Sequence, residues 1–132
     1  MSRAESSTPE SERPVTVLDL IASEIRSGDR TKMARADYRL SHIGFKPEAT
    51  ESVARRDALV LDMAEAWAQN GKGIRALKIL PTLSGQGREQ GLAVDGMHRI
   101  LEHVDATEVR DLIGQTHDAD YLTEAFAEAL DS

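Results

Sequence analysis

The stretch TESVARRDALVLDMAEAWAQN, residues 50 to 70, limits what this chain can fold into more than any other. Thr50 or Ser52 stands where a side-chain oxygen can cap a first turn, and Glu51 sits where a carboxylate favours the positive end of the helix dipole. Gly71 follows Asn70 as a stop signal. On a helical projection Val53, Leu59, Val60, Leu61, Met63, Ala64, Trp67 and Ala68 cover far more than half of the circumference. Arg55, Asp62, Glu65 and Gln69 are left as a narrow polar strip. A surface helix shows an apolar stripe of roughly 100°; one this apolar is expected to be central, with other elements packed around it.

Composition agrees with helices around a helix. One Trp, two Tyr and two Phe in 132 residues leave Ala, Leu, Ile, Val and Met to build the core. The length suits one domain with a core that needs no covalent staples. The chain has no Cys, which excludes disulfides, thiolate metal sites and a cysteine nucleophile. No apolar run approaches the roughly 20 residues of a membrane span. The opening MSRAESSTPESERP lacks the apolar segment of a signal peptide. The protein is therefore expected in the cytoplasm, with no membrane partner.

Charge is unevenly spread. The net charge is −7, yet residues 26–56 carry eight Lys/Arg against four Asp/Glu, while residues 100–132 carry one Arg against nine acids. Such a dipolar chain offers one basic and one acidic surface, and complementary patches favour specific partner encounters.

Residues 1–14, rich in Ser, Glu and Pro, read as a disordered tail, and residues 15–132 as a single domain. Within it Thr16 opens a helix that Gly28 stops, with Val17, Leu18, Ile21 and Ile25 inward. A second helix runs from about Thr31 to His42. Its inward stripe is Met33, Ala36, Leu40 and Ile43, and Arg35, Arg39 and His42 point away. Gly44 closes it before Phe45-Lys46-Pro47. After the central helix, Ile74, Ala76, Leu77, Ile79 and Leu80 form a short apolar helix broken by Pro81. Gly85, Gly87 and Gly91 suggest a mobile connection. Met97, Ile100, Leu101 and Val104 then repeat at helical spacing, followed by a helix that Asp105 or Thr107 starts, with Val109, Leu112 and Ile113 inward. Asp118 starts the last, which places Leu122, Ala125, Phe126, Ala129 and Leu130 on the core side and Asp120, Glu124, Glu128 and Asp131 in water. The expected fold class is all-α: a compact bundle of six to seven short helices around a central apolar helix at about 50–70.

Two segments resemble known motifs. Met63, Ala64, Trp67, Gly71, Ala76 and Leu80, within residues 60–83, fall where a tetratricopeptide hairpin keeps its packing residues. The pattern does not recur at a 34-residue step, so the segment reads as a generic helical hairpin. Residues 36–56 resemble a helix-turn-helix, with Leu40, Ile43, Gly44 and Phe45 at its core and turn. That resemblance implies phosphate contacts from Arg39, Lys46, Arg55 and Arg56. Glu48 and Glu51 stand against it, at the entry of the would-be recognition helix.

Chemistry-bearing motifs are weak. His98-x-x-x-Glu102-His103 departs from the spacing of helical zinc proteases, and His103 is rotated away from His98; with two aligned ligands, no metal or other cofactor is expected. His117, Asp118 and Asp120 are explained by helix capping. The Gly85–Gly91 run neither follows a strand nor carries the Lys-Ser/Thr of a phosphate loop. Arg56 and Asp57 project into the apolar arc of the central helix. They are either a solvated helix start or an internal pair.

No catalytic constellation emerges, and the chain reads as a non-enzyme: an accessory or regulatory protein that binds a protein partner, including itself as a homodimer. The expected interaction surface is Arg35, Arg39, His42, Lys46, Arg55, Arg56 and Asp57. The second reading is a small DNA-binding regulator using residues 33–56. The third is an enzyme or ligand binder built on His98, Glu102, His103 and the glycine run.

Overall fold

Helix signals at regular spacing are realised as helices. A computed structural model of the chain describes residues 17–42 and 50–131, with side chains from Val53 onward in the second stretch. The expected tail at 1–14 and the turn containing Ile43, Gly44, Phe45, Lys46 and Pro47 lie outside the described residues. Among the described residues the order is α1 (Val17–Arg26), α2 (Arg30–His42), α3 (Thr50–Gln69), α4 (Gly73–Ile79), a 3-10 turn (Leu80–Thr82), α5 (Gly85–Glu89), α6 (Leu92–Leu101), α7 (Ala106–Ile113) and α8 (Ala119–Asp131). No strand is present among them. The protein is an all-α bundle.

The long helix is central, for the reason its sequence gives. Leu59, Val60, Leu61, Met63, Ala64, Trp67 and Ala68 are all buried on it. It packs against α1 and α2 on one side and α4, the 3-10 turn and α6 on the other. Gly71 ends it with φ at +74°, a left-handed conformation that costs glycine nothing. The chain then folds back so that α3 and α4 form the expected hairpin. Behind this layer α6 is a second hub: α8 packs on α6 and α7, and α7 on α4.

Three local expectations change. Val17 is 51 % exposed and Leu130 55 % exposed; both sit at helix ends, where the neighbouring helix no longer covers them. On α1 the buried face takes Glu24 instead, at 5 % exposure. The glycine run contains a short capped helix, Gly85–Glu89, and is not an open connection. Ser84 caps α5 by accepting from the Gly87 amide, and Arg88 donates to the Pro81 carbonyl while lying 4.5 Å over the Tyr121 ring. Gly87 is required for contact, not for freedom: a Cβ there would stand 2.5 Å from Asp57 Oδ2.

Candidate functional site

The start of α3 is where the expected interaction surface meets the core. Arg56 is 7 % exposed and Asp57 2 %. They are an internal pair, and this corrects the reading of them as surface residues. The Arg56 guanidinium donates through Nη2 to the Leu40 carbonyl at 2.8 Å and through Nη1 to the Thr82 carbonyl. Its Nη1 lies 3.6 Å from Asp57 Oδ1. Asp57 in turn accepts from the Ser84 amide at 2.9 Å and from the Ser84 hydroxyl. Burial pushes the Arg56 pKa down from its ordinary value, and Asp57 opposes that shift. A buried charge is tolerable only when paired and hydrogen-bonded. Here each charge also ties elements together: Arg56 joins the end of α2 to the 3-10 turn, and Asp57 holds the cap of α5.

Arg55 faces solvent, and its Nη2 donates to Asp19 Oδ1 at 2.6 Å. Of the four cations that the helix-turn-helix resemblance assigned to phosphates, Arg56 is thus internal, Arg55 is engaged by an acid on α1, and Lys46 lies outside the described residues. Arg39 remains, half-exposed, with Nε 3.4 Å from the buried Glu24. Of the three described cations, the buried Arg56 does not share an exposed face with Arg39 and Arg55.

The outward face of α2 is different. Thr31, Ala34, Arg35, Tyr38 and Arg39 recur at helical spacing opposite the buried Met33, Ala36 and Leu40, and line a shallow hollow of about 510 Å³. Tyr38 is 65 % exposed. Its ring stacks on His42 with centroids 4.1 Å apart, and His42 Nδ1 sits 2.8 Å from the Tyr38 carbonyl. An aromatic ring flanked by two arginines on a helix is thus displayed to solvent. The inner edge of α2 is fixed to the core: Trp67 Nε1–H donates to Asp37 Oδ2 at 2.7 Å, and the Arg75 guanidinium lies 4.9 Å from the same indole ring. Burial raises the Asp37 pKa above its ordinary value, with the Trp67 hydrogen bond and Arg75 opposing.

A second polar locus lies along the α3 strip, where it faces the end of α6. Arg99 Nη1 is 2.8 Å from Asp62 Oδ1 and 3.6 Å from Glu65 Oε1. His103 Nε2 is 3.1 Å from Glu65 Oε2, and ligand atoms of Glu65, Glu102 and His103 lie within 4.8 Å of one another. His98 is not in this group. Its third member, Glu65, comes from another helix, which spacing along α6 does not reveal. Asp62 and Glu65 also floor a cleft of about 290 Å³ beside Arg26 and Asn70.

Among the described residues no helix is long and apolar enough to cross a membrane. No protein-family model matches the chain, and no curated protein or solved structure matches it either.

Proposed function

We propose that this is a non-catalytic accessory or regulatory protein of the cytoplasm that works by protein–protein contact through the outward face of α2. The observation that carries the reading is Tyr38, exposed on α2 and flanked by Arg35 and Arg39 over a shallow hollow. Tyr and Arg dominate binding hot spots, because each offers a large contact area with a polar or charged tip. Tyr also loses little rotamer freedom when it is covered. The charge on α2, four Lys/Arg against Asp37 alone, suits an acidic partner surface and a salt-sensitive encounter. The absence of cysteine in the sequence suits a reducing compartment.

The test is affinity capture from lysate with and without nuclease, compared across wild type, Tyr38→Ala and Arg35→Glu. A captured protein that survives nuclease and is lost with both variants supports the reading. A homodimer would appear in sedimentation of the pure protein and dissociate with the same variants. Capture that vanishes with nuclease moves the assignment to the DNA-binding reading. Capture indifferent to Tyr38 and Arg35 rejects the α2 surface.

A further inference from the structure

Glu65 on α3 and Glu102 and His103 at the end of α6 are brought together from two helices, with ligand atoms within 4.8 Å of one another. Nearby, Asp62 adds a third carboxylate, and Arg99 is the guanidinium that faces them from α6, held 2.8 Å from Asp62. Arg26 also lines the cleft that Asp62 and Glu65 floor, so three carboxylates stand near two guanidinium groups. Carboxylates held this close repel one another unless a cation sits between them.

We propose that Glu65, Glu102 and His103 form a binding site for a zinc-class divalent transition ion that bridges the central helix to α6. The donor set decides the class. One imidazole nitrogen with two carboxylate oxygens is a zinc-type set of three protein ligands with a position left for water. Magnesium and calcium favour oxygen-only surroundings, and the cysteine-free chain excludes thiolate chemistry. Tetrahedral bonds of about 2.1 Å bring ligand atoms to about 3.4 Å from one another. Reaching that from 4.8 Å needs a modest rotation of the Glu side chains. Glu102 and His103 are exposed and Glu65 half-buried, so they can make it without disturbing the core. Arg99 stays with Asp62 beside the site and orients Glu65, which it approaches at 3.6 Å.

Binding also has a proton requirement. His103 Nε2, now facing Glu65 Oε2 at 3.1 Å, must offer its lone pair to the ion, so any proton there moves to Nδ1 or leaves. The site is separate from the α2 surface, so the two proposals stand or fall independently.

The experiment is isothermal titration of the full-length, untagged protein with zinc chloride, with magnesium chloride as comparison. One zinc ion per chain and no magnesium binding are expected. Removing an orienting partner of a metal ligand commonly costs 10- to 100-fold, so His103→Ala, Glu65→Gln and Glu102→Gln should each weaken zinc by at least about tenfold. His98→Ala and Arg35→Glu should leave it unchanged. All five variants alter residues outside the buried core, and circular dichroism should show the wild-type helix content. Absence of saturable zinc binding overturns the proposal. So does zinc affinity that survives His103→Ala, or that is lost with His98→Ala.

Discussion

Asp57 is the residue on which most connections converge, although the sequence presents it as one charge in an ARRDA run. It accepts from the Ser84 amide and hydroxyl, faces Arg56, and has Gly87 against its carboxylate. Truncation to Ala leaves the buried Arg56 without its nearest anion and the Ser84 amide without its acceptor. Breaking a buried pair from one side costs about 3–5 kcal/mol, so Asp57→Ala should lower the urea midpoint by an amount of that order. A loss below about 1 kcal/mol would show that the pair contributes little, as exposed pairs do. Asp37 has the opposite sign. Its folded-state pKa is raised above 3.8, mainly by burial, so the folded chain holds its proton more tightly than the unfolded chain. The ionised carboxylate therefore costs stability at neutral pH, and that cost disappears as pH falls through the raised value towards 3.8. Asp37→Asn keeps an acceptor for Trp67 and removes the charge. It should be at least as stable as wild type near neutral pH, with the difference between the two urea midpoints shrinking on acidification. A gap that widens instead would mean that the charged hydrogen bond outweighs burial.

At the scale of elements, the glycines of α6 and α5 mark where helices touch closely. Gly96 lies inside α6, and a Cβ there would meet Leu80 Cδ2 at 2.6 Å and Leu61 Cδ2 at 2.9 Å. Two effects of Gly96→Ala compete. Replacing glycine inside a helix gains about 1 kcal/mol in propensity. Overpacking a tight core costs about 1–3 kcal/mol. Leu80 is fully buried and Leu61 nearly so, which leaves their methyls little room to yield, so the cost should win. Thermal unfolding of Gly96→Ala should show a lower midpoint; a higher one would mean that the helices can separate slightly without loss. The extent of α3, the apolar stripes of α2, α6 and α7, and the acidic outer face of α8 were legible as periodicity. The capped turn of α5 was not. Three glycines in seven residues read as freedom, and nothing local says that Gly87 is small because a buried carboxylate from α3 lies against it.

Across the whole molecule, core and surface should separate cleanly under mutation. Trp67 is 2 % exposed at the junction of α2, α3 and α4, and Tyr38 is 65 % exposed on the far side of α2. Trp67→Ala should cost about 3–5 kcal/mol, and any loss of partner capture would follow from unfolding. Tyr38→Ala should stay within about 0.5 kcal/mol of wild type, as surface changes usually do, and still lose capture. Chemical denaturation and capture measured on the same preparations distinguish the two. A Tyr38 variant that is destabilised by several kcal/mol would identify that ring as a packing residue.

The sequence by itself determined which segments other than α5 are helical, which helix is central and how charge divides between the two halves, because periodicity and composition act locally. Only the tertiary structure decided what those charges face. Arg56 and Asp57 went inside because the end of α2 and the turn before α5 close over the first turns of α3. Glu65 met His103 because α6 crosses the polar strip of the central helix. Both outcomes depend on where one helix lies against another, and spacing along a single helix carries no record of that.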